Sequence, residues 1–467
     1  MPRVASARDG SRTVVTRALH LDLKGVPPTP RRLISLLDVI KAAGYNALLV
    51  EWEDMFPWTV DEGLRCETCY TPAEVKRFHR EAAGRALEVI PLVQCLGHME
   101  TPLSLPRYAR LRSVAYRSDG LNPLAPGARR LVEEMIDDVL SLSPGVSRFH
   151  IGGDEARTLG RSREEVAYLG RHAKAALYLQ HVEPILDGLR ARGIRPIVWS
   201  DMMHRWSDHE VRRIAARADL CPWGYNGHPD TWQHHSAQRH IQRFHDNGAT
   251  LWGATGYKGA TDPDADLCDF AQQEENALGW RDVAARFGMV GLIATAWSRH
   301  QSHLTQTEPI DGSLDSLVNV GFILRDGKAP GRERCIEALG EMGEGERFEA
   351  CRTALGELAR LRCRAWREVK RLRQQVVLET ADVRRRAAGM AAASYIDLRQ
   401  CVELDAPRAA AAVRRAFRGL MQPLWIERYL LERVGPLLEE LASLEPRVRL
   451  LEPAAWAAAR RLRRWNP

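Results

Sequence analysis

Eight short apolar runs recur between residues 18 and 297, each separated from the next by a stretch that patterns as a helix or a loop. They are ALHLDLK (18–24), NALLVEW (46–52), LEVIPLVQ (87–94), SRFHIGG (147–153), RPIVWSD (195–201), ADLCPW (218–223), ATLWGAT (249–255) and MVGLIATAW (289–297). Strands covered on both faces need such near-continuous runs, whereas half-exposed strands alternate. Helix-start chemistry stands between them. Thr29 is a cap with Pro30 at the first helical position, and Thr71, Pro72 and Glu74 repeat the device as a capping box. This alternation predicts an α/β chain, a (β/α)8 TIM barrel, over residues 18–330. A doubly wound sheet is the runner-up, but no GxGxxG or P-loop accompanies the runs.

The flanks read differently. Residues 1–17 form an N-terminal segment, and residues 331–467 an Arg-rich helical region in which β-like runs cease. Pro407, Pro423, Pro436, Pro446 and Pro453 are expected to break any coiled-coil register there. That region holds 27 Arg and Lys against 19 Asp and Glu, while residues 1–330 hold 40 against 41, so the excess positive charge belongs to the C-terminal part. Only seven of the 67 basic residues are lysines, a bias of codon usage rather than of a nucleic-acid surface, and no nucleic-acid partner is expected. Arg3, Arg8, Asp9 and Arg12 fall where a signal peptide needs an apolar core, and no apolar run is long enough to span a bilayer. The expectation is a cytoplasmic chain without a membrane partner. Its nine cysteines, Cys66 and Cys69 of the CxxC included, are then reduced thiols. Nothing in the pattern sets the oligomeric state; a homodimer is compatible with it.

Polar residues gather at the C-terminal ends of the runs, where a barrel keeps its active site. The sharpest group is HIGGDE, His150 to Glu155. Two adjacent carboxylates in a desolvated cleft repel, so one is driven towards its acid form while the other stays ionised, which suits general-acid chemistry at a glycosidic oxygen. Alternatively, Asp154 and Glu155 cap a helix or pair with Arg157. Thirteen tryptophans are many; Trp52, Trp58, Trp199, Trp223, Trp252 and Trp297 lie at or near strand ends, and about half of them are expected to be core. His20, His98, His150 and His300 could join Asp22 and Asp154 around a metal, yet no HxH or HExxH pair is present and neither metal nor cofactor is expected.

HIGGDE resembles the HxGGDE motif of glycoside hydrolase family 20, the β-N-acetylhexosaminidases. The likeness to the hexosaminidase D branch is closer, through HLDLKGVPP (20–28), EWEDMFPW (51–58), EVIPLVQCLGHME (88–100), LNP (121–123), VWSDMM (198–203), PWGYN (222–226), YKGAT (257–261) and TAWSRHQSH (295–303), in order along the barrel. The resemblance implies an exo-acting hydrolase of terminal β-linked GalNAc or GlcNAc, GalNAc slightly favoured, in which the substrate's own 2-acetamido oxygen attacks the anomeric carbon. Asp154 then orients and charges the acetamido group, and Glu155 acts as acid and base. Trp199, Trp223 and Trp297 box the sugar, Tyr225 or Tyr257 holds the acetamido oxygen (Tyr225 preferred), and His98 and His150 support the site. Typical members have an arginine after the first strand and a glutamate after the eighth-strand tryptophan. Here Asp22 and Lys24 stand at the first place and are expected to share the arginine's contact with the sugar; Ser298 and Arg299 stand at the second, with Arg299 a further candidate sugar contact, which leaves recognition of the C4 and C6 positions open. The rivals are a catalytically silent carbohydrate-binding barrel, a metal-dependent barrel hydrolase, and an Arg-rich interaction protein.

Overall fold

The computed structural model describes residues 15–231, 238–260, 262, 265–382 and 389–451. Most of the expected N-terminal segment and Pro453 lie outside the described residues.

Each apolar run overlaps a strand: β1 Thr16–Asp22, β2 Ala47–Glu51, β3 Glu88–Leu92, β4 Arg148–His150, β5 Arg195–Trp199, β6 Asp219–Cys221, β7 Trp252–Lys258 and β8 Gly291–Ala296. All neighbours pair in parallel in the order β6-β5-β4-β3-β2-β1-β8-β7. The ring closes through parallel bridges Leu220–Leu251 and Trp223–Ala254. One main helix follows each strand: α1 Pro30–Ala42, α2 Pro72–Gly84, α3 Ala128–Leu142, α4 Lys174–Ala191, α5 Asp208–Ala215, α6 Gln238–Asp246, α7 Phe270–Phe287 and α8 Leu314–Asp326. Thr29 caps α1 by accepting from Arg32 N, and Thr71 and Glu74 complete the capping box of α2. This is a (β/α)8 barrel.

The seventh strand departs from its expected bounds of 249–255. It runs on through Gly256, Tyr257 and Lys258, which pair along β8 as far as Ala296 across a bulge. Gly256 and Lys258 read as a strand end in sequence; the neighbouring strand supplies the pairing that overrides them. The barrel interior is filled by small and branched side chains, Ala18, Ala47, Leu49, Ile90, Ile197 and Ile293 among them, with Trp199 and Trp252. It is a packed core and not a pore.

The compact unit that contains the barrel extends to Gly345, past the boundary read at 330. Two ion pairs explain the extension: Arg332 meets Asp315 at 2.9 Å, and buried Arg32, which also pairs with Asp311, meets Glu344 at 2.7 Å. The second unit begins at Glu346 and is helical, with helices Gly345–Ala381, Met390–Gln400, Ala406–Ala416 and Pro423–Leu451. Pro407 and Pro423 sit in first turns, but Pro436 and Pro446 lie inside the last helix instead of ending it. A proline removes the bond to the carbonyl four residues back, that of Glu432 for Pro436; the adjacent Arg433 carbonyl accepts from Arg362 Nε at 3.1 Å. Among the described residues no helix is long and apolar enough to cross a membrane.

Candidate active site

The chain leaves β4 through an unusual backbone. Gly152, Gly153 and Glu155 all have positive φ, at 61°, 85° and 43°. A side chain on Gly152 would collide with Gln94, and one on Gly97 would collide with the Asp154 carbonyl. The two glycines of HIGGDE therefore answer a tight approach between the turns after β3 and β4, and the second of those turns presents two carboxylates to the open end of the barrel. His98 faces them, itself left-handed at φ 53°. Its Nε2 lies 3.4 Å from Asp154 Oδ2 and 3.6 Å from Glu155 Oε2. Burial opposes a charge on this imidazole, but the Asp154 carboxylate outweighs it and raises its pKa to about 10. Asp154 is 5% exposed, and its Oδ1 has no protein partner among the described residues. Glu155 Oε1 receives Arg157 at 2.7 Å. The pairing with Arg157 that the sequence offered as an alternative does form, at the rim of the same cavity.

That cavity holds about 250 Å3, short of the roughly 300–1,000 Å3 typical of pockets for drug-sized ligands, so it suits one ring. Asp154, Glu155 and His98 line one side, and Trp199, Trp223, Tyr225 and Trp297 form the aromatic wall. Trp223 and Tyr225 stack at 5.4 Å, Tyr225 and Trp297 lie 6.2 Å apart, and Trp199 and Trp297 6.3 Å apart. Burial pushes the Tyr225 phenol well above its ordinary pKa, so it stays a donor. Trp52, Trp58 and Trp252 are core, each at 2% exposure or less.

The remaining sequence candidates lie around this cavity and do not line it. His150 packs its ring 4.2 Å from Trp199; burial lowers its pKa to about 3, and Nδ1 accepts from Gly152 N. Tyr257 is fully buried and its hydroxyl donates to the His20 carbonyl at 3.2 Å. Lys24 Nζ bonds Glu51 at 2.9 Å and Asp22 at 3.2 Å, and sits 5.2 Å over the Trp297 ring. Burial disfavours its charge, yet Asp22 and Glu51 prevail and raise its pKa. Asp22 in turn accepts from Ser298 N at 2.7 Å. Arg299 folds over Gly25 and donates to the carbonyls of Ser302 and Leu304. Three charged residues read as sugar contacts are thus held by the protein itself.

Residues assigned no part in the sugar site from sequence also belong here. His300, read only as a possible metal ligand, lines the cavity after β8 with Gln301 and Leu304, and Asp201, after β5, accepts from Glu155 N at 3.0 Å. Asp201 stands in the VWSDMM block as a carboxyl two residues beyond a cavity tryptophan, at a strand's C-terminal end. His20, His98, His150 and His300 do not converge into a ligand set. Among the described residues the group with metal-ligating geometry is His228, Asp230 and Asp282, outside the cavity, and Arg286 bridges its two carboxylates.

Residues 51–248 match the catalytic domain of glycosyl hydrolase family 20. The chain is 35% identical over 316 residues to hexosaminidase D of Bos taurus, covering 65% of this chain and 90% of that protein. To hexosaminidase D of Homo sapiens it is 32% identical over 362 residues, covering 74% of this chain and 73% of the relative. Among solved structures, the chitobiase of Flavobacterium johnsoniae superposes with a TM-score of 0.56 at 14% identity, over 94% of this chain and 78% of that one, a likeness of fold. A strand-end carboxylate pair in an aromatic cavity, on a barrel whose sequence matches these relatives over most of their length, has one consistent reading: the chain belongs to glycosyl hydrolase family 20, in its hexosaminidase D branch.

Proposed function

We propose that the cavity residues divide the work of an exo-β-N-acetylhexosaminidase that cleaves terminal β-linked GalNAc or GlcNAc by substrate-assisted, retaining catalysis. The observation that carries the assignment is the buried, unpartnered Asp154 Oδ1 beside Glu155 in an indole-walled cavity sized for one ring. Asp154 accepts the acetamido N–H and offsets the positive charge that grows on the ring formed when the acetamido oxygen bonds to the anomeric carbon. Glu155 gives its proton to the leaving oxygen as that bond breaks. It then takes a proton from the water that opens the oxazoline, so configuration is retained. Tyr225 donates to the acetamido oxygen, while Trp199, Trp223 and Trp297 stack on the sugar's apolar faces. His98, paired with Asp154, keeps that carboxylate oriented. His150, Tyr257, Asp22, Lys24 and Arg299 act from around the cavity by holding the aromatic wall and the strand ends in place.

Hydrolysis of aryl β-GalNAc, β-GlcNAc, β-Gal and β-Glc in parallel tests the mechanism. The two acetamido sugars are expected to turn over and the other two to fail, because they lack the nucleophile. A thiazoline mimic of the bicyclic intermediate is expected to inhibit strongly. Comparable rates on β-GlcNAc and β-Glc overturn the reading. The nine cysteines, all free thiols, suit a reducing compartment, and we place the enzyme in the cytoplasm, which cell fractionation checks.

A further inference from the structure

We propose that Asp201 is a positioning residue for the acid/base carboxyl: its side chain holds the Glu155 backbone in the left-handed turn that aims that carboxyl into the cavity. The inference rests on the assignment of Glu155 as acid and base.

Glu155 carries a full side chain at φ 43°, a region that L-residues other than glycine rarely adopt. Such a conformation persists only where its surroundings over-determine it. The turn cannot draw on helix hydrogen bonds, because the next helix begins only at Arg163. The Glu155 N–H instead donates to Asp201 Oδ2 at 3.0 Å. Asp201 is itself fixed from below. Trp199 N donates to the Gly152 carbonyl at 3.1 Å, Ser200 N donates to Cys221 O at 3.2 Å, and a single 3-10 turn, Asp201–Met203, follows. The end of β5 thus grips the turn after β4 twice, once through backbone and once through this carboxyl. On its other side, Trp223 Nε1 reaches Asp201 Oδ1 at 3.5 Å. One side chain therefore ties the acid/base residue to an indole of the sugar-binding wall.

Its neighbours are the groups of the site itself. Some buried carboxylates of this barrel have cations, Asp219 with Arg195 and Asp311 with Arg32, and others, such as Glu165, are held by a serine hydroxyl and backbone N–H groups. Among the described residues, no Lys, Arg or His pairs with Asp201, which is 9% exposed. The groups facing it are Asp154 and Glu155 on the turn after β4, Tyr178 on α4, and Trp223. Burial and then the Asp154 charge raise its pKa to about 7. Asp154, Glu155 and Asp201 thus form a set of three neighbouring carboxyls, the third with no cation partner among the described residues.

The experiment compares wild type, Asp201→Asn, Asp201→Ala and Glu155→Gln on an activated aryl β-GalNAc and on an alkyl β-GalNAc, each across pH. Asp201→Ala removes the acceptor. It is expected to lower kcat roughly 10²-fold, more on the alkyl than on the aryl substrate, with KM little changed. Asp201→Asn keeps the shape and an acceptor oxygen, so it should fold and retain most of kcat at its optimum. The alkaline limb of kcat/KM is expected to move to lower pH, because a like charge that holds a proton on the set is gone. If both Asp201 variants keep the wild-type leaving-group dependence and pH limb while Glu155→Gln loses them, the positioning role is overturned and the assignment of Glu155 stands. If Glu155→Gln itself loses activity equally on both substrates, that assignment fails, and the role of Asp201 fails with it. Equal loss on both substrates in Asp201→Ala, with an unmoved pH limb in Asp201→Asn, marks a structural residue and also overturns the proposal.

Discussion

Two charged clusters occupy the same end of the barrel and have opposite characters. After β3, β4 and β5, the Asp154 and Glu155 carboxyls meet His98 and border a cavity, and Asp201 holds the Glu155 N–H from behind. After β1, β2 and β8, Asp22, Lys24 and Glu51 meet each other, and Ser298 and Gln94 take up remaining valences. Both are buried, both lie at strand ends, and both perturb pKa values. Among the described residues the first leaves a carboxylate oxygen, Asp154 Oδ1, without a protein partner; in the second both carboxylates meet Lys24. Charge at a strand end therefore marks a candidate only when the protein does not itself satisfy it.

The largest expected effect tests the closed cluster. Lys24→Met leaves Asp22 and Glu51 buried without their cation and should cost about 3–5 kcal/mol of stability, read by urea unfolding, with KM for aryl β-GalNAc little changed. A large rise in KM at unchanged stability would instead make Lys24 a sugar contact and erase the contrast between the clusters. The open cluster should respond the other way. Asp154→Asn keeps the shape but loses the charge that meets the oxazoline, so kcat should fall on the order of 10²–10³-fold while the protein still folds. A trapped sugar ester on Asp154, seen by mass spectrometry, would show a nucleophile instead.

The two tyrosines give a smaller and sharper version of the test. Tyr225→Phe should lower kcat about 10²-fold by removing a donor to the acetamido oxygen. Tyr257→Phe removes only the bond to the His20 carbonyl and should cost roughly 0.5–1.5 kcal/mol of stability with activity intact. Reversed results would exchange their roles. The smallest effect is one of pH. The His98 pKa is raised from 6.5 to about 10, so the stability it contributes is complete below its ordinary value and lost as pH climbs through about 10. Thermal melts between pH 7 and 10.5 should fall more steeply for wild type than for His98→Gln; parallel curves would mean that the pair with Asp154 does not couple to folding.

The barrel was legible because its signals are local. Eight buried strands need apolar runs, α1 and α2 open on their own caps, and each run overlaps a strand whatever its partners. HIGGDE was legible for the same reason: its glycines and carboxylates are neighbours in sequence, and the positive φ angles of Gly152 and Gly153 require residues of that kind. The end of β7 was not legible, since Gly256 and Lys258 join a strand only because β8 lies alongside. Nor was the passage of one helix through Pro436 and Pro446, since an interior proline reads in sequence as a helix end.

The same division runs through the site. Sequence alone determined the fold class, the family and the adjacent carboxylates, because periodicity, turn chemistry and contiguous motifs need no distant partner. Only the tertiary structure decided that Lys24, Asp22 and Arg299 are held by protein partners, that Tyr225 and not Tyr257 lines the cavity, and that Asp201 reaches Glu155. Each of those outcomes depends on a bond between strand ends far apart in the chain, and a buried charge shows whether it is satisfied only when its neighbours in space are known.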